Sequence, residues 1–189
     1  DVLEFILAQK NQMRHFILCT FYEILERVKK AVSWCKKSHM IFMEPDVLVR
    51  GEMTIPQDVQ LSGPVPQPNI DYDAGWHRVL EKIEGSSEVI GWSWPIIFSK
   101  EAFYKMYDFA KNNEDVVREL LLSDVRIGIA DDVWIPVLFG AVGVKQVNNP
   151  DSTECNRNPH WKNSSHPLLH EYREMYPAKG TANVGRHYT

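Results

Sequence analysis

In the segment HMIFMEPDVLVRG, residues 39–51, two carboxylates close an apolar run: Glu44 and Asp46, held apart by Pro45. Acids at this spacing can offer oxygens to one hard divalent cation, Mg²⁺ or Mn²⁺, whose remaining positions are filled by water and phosphate oxygens. The same E-x-D pattern equally suits a plain turn with solvated acids, and spacing alone does not choose. Asp131 and Asp132 form a second acidic spot at the head of IADDVWIPVLFGAVG. One of them is expected to cap a helix there. The other, facing a cleft, would be placed to deprotonate a sugar hydroxyl as general base.

Seven histidines are present, and His160, His166, His170 and His187 lie in the last 30 residues. None forms an H-E-x-x-H pattern or a Cys/His zinc spacing, so a structural zinc site is not expected. A single imidazole joining two carboxylates on Mn²⁺ is chemically reasonable, although a lone His is more commonly an ordinary surface or core residue. Trp92 and Trp94 flank Ser93 after Gly91. On a strand the two indoles share one face, which suits core packing or a platform for the apolar face of a sugar ring. P-loop, Rossmann dinucleotide and nucleophile-elbow motifs do not occur in the chain.

These groups need elements to position them. Phe21, Ile24, Leu25, Val28, Ala31 and Val32 share one face of a helix predicted over residues 20–37, with Thr20 and Glu23 as a capping box and Lys36 and Lys37 at its carboxyl end. Met40–Met43 reads as a buried interior strand ended by Pro45. Four prolines between residues 54 and 76 predict an extended loop. A short helix is expected over 76–84, a second buried strand over Trp94–Phe98, and a helix capped by Ser99 from Lys100 to about Asn112. The inward face of that helix carries Phe103, Met106, Tyr107 and Ala110. Helices are further expected over 114–122 and after Asp132, the latter with Val133, Val137 and Leu138 inward. Beyond Asn148 the chain is polar, with one or two helical turns in HPLLHEYREMYP and a loose end.

The 189 residues are 44% hydrophobic and 24% charged, which fits a single domain with one sizeable core. A net charge of −4 gives no global positive field for nucleic acid and no polybasic block for a membrane surface. No apolar run reaches the length of a membrane span, roughly 18–20 residues. Three scattered cysteines, Cys19, Cys35 and Cys155, suit a reducing compartment such as the cytoplasm. The chain begins at Asp1 without Met, as an internal domain or trimmed chain would.

The sequence of helix TFYEILERVKKAVSWCKK, strand HMIFM and then EPDVLVRG resembles the GT-A glycosyltransferases, whose D-x-D motif follows a buried strand. The Pro-rich stretch and Gly/aromatic segment that follow are most similar to the small glycosyltransferase domains of chloroviruses, large viruses of algae. The resemblance runs from residue 20 to about 176 and is most specific at 39–51. It implies an α/β fold with a mixed sheet flanked by helices. It also implies Mn²⁺ or Mg²⁺, a UDP- or GDP-sugar donor, a carbohydrate acceptor, and a cytoplasmic setting, that of the host if the protein is viral. Asp46 matches the acid that contacts the metal, and Glu44 stands where the family's first Asp sits. His170 falls where many members keep a late metal-binding His, with Arg173 near the donor phosphates. Gly91, Trp92, Ser93 and Trp94 match the acceptor side, and Asp131 or Asp132 the acid near the acceptor hydroxyl. GT-A domains place a β-α-β portion before the motif; only 38 residues precede His39, without a pair of strands, so under the resemblance either the chain has an incomplete start, the reading favoured, or the nucleotide is bound in an unusual way. The expected function is metal-dependent glycosyl transfer. The alternatives are a noncatalytic carbohydrate-binding module on the same fold and, more remotely, a metal-dependent phosphohydrolase.

Overall fold

Ser99 ends one element and starts the next, and both follow from its neighbours. Before it, Ile96, Ile97 and Phe98 form a wholly buried apolar run. After it, the backbone N–H of Ala102 donates to Ser99 Oγ at 3.1 Å, which opens the helix Lys100–Asn112 with a side-chain cap. In the computed structural model, which describes residues 2–43, 47–53, 55, 58–63, 75–87, 89, 95–123, 131–149, 152–154 and 168–170, this junction lies at the centre of a mixed α/β arrangement.

The described elements, in chain order, are α1 (Val2–Trp34), β1 (His39–Phe42), β2 (Leu48–Val49), β3 (Leu61–Gly63), α2 (Gly75–Leu80) and β4 (Ile96–Ser99). They continue with α3 (Lys100–Asn112), α4 (Glu114–Leu122), α5 (Asp131–Ala141), β5 (Gln146–Asn148), β6 (Ser152–Glu154) and β7 (Leu168–His170). Two sheets result. The first has the order β1-β4-β3-β5, with antiparallel pairs up to β3 and a parallel pair between β3 and β5. The second has the order β2-β7-β6, antiparallel at β2 and parallel at β6.

The core joins the first sheet to the helices. Phe98 stacks with Phe103 of α3 and tilts against Phe139 of α5, both at 5.7 Å between centroids. Val117, Leu120 and Leu121 of α4 and Ile17, Phe21, Leu25 and Val32 of α1 complete it. A polar bridge fixes α1 on α3: Lys29 Nζ donates to Tyr107 Oη at 2.9 Å, and Tyr107 donates in turn to Glu26 Oε1 at 2.8 Å. Gly143 turns the chain after α5 with φ of +72°, a left-handed conformation natural to glycine, where a β-carbon would meet the carbonyl oxygen of Gly85.

Several sequence expectations hold. The bounds and cap of α3 are as predicted, and Phe103, Met106, Tyr107 and Ala110 are buried. The helix over 114–122 is present, and Val137 and Leu138 of α5 are buried; the side chain of Val133 lies outside the described residues.

Others are corrected. The first helix begins at Val2 instead of residue 20, because residues 2–19 contain neither Gly nor Pro and Ile17 continues the apolar face of Phe21 and Leu25. Thr20 and Glu23 therefore sit in mid-helix and form no capping box; Glu23 pairs with Arg27 one turn on. Ala31 is exposed, and Lys36 and Lys37 fall just past the helix end. Among the described residues the β1 strand is the edge strand of its sheet, paired with β4 alone, and it is half-buried, not the buried interior strand expected. β3 interrupts the predicted extended loop, the short helix ends at Leu80, and β7 replaces helix at residues 168–170.

Candidate functional site

The local chemistry at 39–51 starts from His39. Its Nε2 lies 2.7 Å from the carbonyl oxygen of Val59, which ties β1 to the chain that enters β3, and its Nδ1 lies 3.0 Å from Oγ of the adjacent Ser38, so both ring nitrogens are engaged. His39 is thus a structural residue. Val47 is half-buried against the core, and the chain then enters β2.

The register of the second sheet is the geometry that bears on the predicted metal ligands. Leu48 pairs with Leu169 and Val49 with Leu168. Carried one residue further, the same antiparallel register sets His170 opposite Val47, the chain neighbour of Asp46. On the other side of β7, the parallel register pairs His170 with Glu154. The register thus aligns the strand that follows Asp46 in the chain with the strand that ends at His170, and sets Glu154, which sequence reasoning missed, as the partner of His170. A three-residue strand has no alternation to reveal it, so no sequence signal pointed to Glu154.

Glu44 and Asp46 themselves lie outside the described residues, as do Gly91, Trp92, Ser93, Trp94 and Arg173. Among the described residues there is no group of three or more His, Cys, Asp or Glu side chains able to hold a metal ion. The donor types fit such an ion nonetheless: two carboxylates and an imidazole suit Mn²⁺, and carboxylates with water suit Mg²⁺.

Asp131 and Asp132 occupy the first two positions of α5, inside its first turn and not before it. Pro136, inside the same helix, has no N–H to donate to the carbonyl of Asp132 four residues earlier, which leaves that carbonyl without its usual intrahelical partner.

Shifted ionisation occurs elsewhere, at the contact of α1 with α3 and α4. Burial raises the Tyr22 phenol above its ordinary 10.0; Glu114 adds to the rise and Arg118 opposes it. Tyr22 Oη is buried with no hydrogen-bond partner among the described residues. The Lys29 ammonium is raised above 10.5, chiefly by its hydrogen bond to Tyr107. No helix among the described residues is long and apolar enough to cross a membrane.

The chain matches no family model, no curated protein and no solved structure at a significant level.

Proposed function

We propose that this chain is a metal-dependent glycosyltransferase domain of the GT-A type, transferring a sugar from a UDP- or GDP-sugar to a carbohydrate acceptor. The observation that supports the reading is the β2–β7 register, which pairs Leu48 with Leu169 and Val49 with Leu168 and so aligns the strand that follows Asp46 in the chain with the strand that ends at His170. In this reading Asp46 and His170 hold Mn²⁺ or Mg²⁺ with Glu44. The ion, when bound, offsets the charge developing on the leaving diphosphate. Arg173 supports the donor phosphates, and the segment Gly91, Trp92, Ser93 and Trp94 receives the acceptor ring. Asp131 or Asp132 would accept the acceptor proton if transfer inverts the anomeric centre.

Product analysis tests this. The chain is incubated with Mn²⁺, a panel of UDP- and GDP-sugars and mono- and disaccharide acceptors, and the products are read by mass spectrometry. Sugar transferred to acceptor, abolished by Asp46→Ala, is expected. Donor binding without turnover would favour the carbohydrate-binding module, and release of sugar 1-phosphate and nucleoside monophosphate regardless of acceptor would favour a phosphohydrolase; either result overturns the proposal.

A further inference from the structure

An open pocket of about 550 Å³ lies among α1, α2 and α4, on the helical layer and not at the second sheet. Val79 and Leu122 contribute apolar surface, and four cations surround it: Arg14 from α1, Arg78 from α2, Lys82 just after α2, and Arg118 from α4. Two acids share the rim, Asp115 and Glu119, and Glu119 is already engaged with Lys82 at 3.3 Å. The lining carries an excess of two positive charges in a chain whose net charge is −4. Arg14, Arg78 and Arg118 make no ion pair with a carboxylate among the described residues. All three are exposed, on three separate helices.

The walls are held at close range. A β-carbon on Gly75 would sit 2.6 Å from the carbonyl oxygen of Ser123, so the start of α2 packs backbone to backbone on the end of α4. Arg78 and Arg118 are therefore carried by helices in fixed relation. Arginine presents a planar fork of donors that matches phosphate oxygens two at a time, and three such forks exceed what a single monoanion can use.

We infer that this pocket is a binding site for a phosphorylated ligand carrying a diphosphate or two neighbouring phosphate esters. The site needs no metal and does not rest on the glycosyltransferase reading. Its ligand is gripped by the Arg14, Arg78 and Arg118 guanidiniums, with Lys82 adding charge from the rim.

The test is calorimetry of the full chain with inorganic diphosphate and with inorganic phosphate, in EDTA and at constant ionic strength. One saturable diphosphate per chain is expected, bound more tightly than phosphate. Arg78→Gln and Arg118→Gln should each weaken it about tenfold or more, whereas Arg27→Gln, on an exposed part of α1 away from the pocket, should leave it unchanged. Since all these side chains are exposed, the variants are expected to fold, which circular dichroism verifies. Binding must also survive Asp46→Ala, so that failure of the metal reading leaves this one standing. Absence of saturable binding, indifference to both arginine substitutions, or loss of binding in Asp46→Ala would overturn the inference.

Discussion

Leu48 is paired with Leu169 across two very short antiparallel strands, and this pairing, with that of Val49 and Leu168 beside it, joins the segment after Asp46 to the segment ending at His170. If the two flanks share a metal ion, His170→Ala should weaken Mn²⁺ binding by about tenfold or more, as loss of a ligand or of its supporting group does. Titration of Mn²⁺ by calorimetry or by paramagnetic broadening reads this directly. Unchanged affinity would remove His170 from the ligand set.

The cap at Ser99 is the best-defined local interaction in the fold. Ser99→Ala removes the acceptor for the Ala102 N–H and should cost about 1 kcal/mol in urea unfolding, with Ser99→Asp recovering most of it. An alanine variant as stable as the parent would mean that the tertiary packing of α3 makes the cap redundant.

Gly143 combines a left-handed backbone with a close approach to Gly85. Gly143→Ala should destabilise by about 2 kcal/mol or more, from the backbone conformation and the clash together. A thermal shift of less than a degree or two would contradict this geometry.

Tyr22 and Lys29 give a pH dependence with one sign. Both groups have folded-state pKa values above their unfolded ones, so their contributions are fully present below about pH 10 and are lost as pH rises through the raised values. Stability should therefore fall on the alkaline side. Tyr22→Phe removes the titrating phenol and a buried hydroxyl without a partner among the described residues, so it should be neutral or mildly stabilising near pH 7 and should reduce the alkaline loss. Denaturant midpoints at pH 7 and pH 10.5 for both proteins supply the comparison; an unaltered alkaline limb would show that Tyr22 does not contribute.

What the sequence made legible is what local chemistry determines. The Ser99 cap and the 3.6-residue apolar period gave α3 its bounds, and the buried run Ile96–Phe98 marked β4. The T-x-x-E pattern at Thr20 imitates a helix start, and the polar stretch before His15 masks the continuity of α1, so half of that helix was hidden. β3, β5, β6 and β7 are three residues each, too short to display alternation, and are held by partners distant in the chain. For the candidate site, Asp46 and His170 were each nominated by residue type and resemblance. The pairing of β2 with β7 was not legible, because strand register is a nonlocal property.

Metal-dependent donor binding probes the central proposal most directly. Calorimetry of UDP- and GDP-sugars, with and without Mn²⁺, is compared between the parent chain and Asp46→Ala. At least one nucleotide-sugar should bind the parent only when Mn²⁺ is present, and Asp46→Ala should abolish that binding while leaving the circular dichroism spectrum unchanged. Donor binding that is indifferent both to Mn²⁺ and to the loss of Asp46 would contradict the proposed metal-dependent transfer.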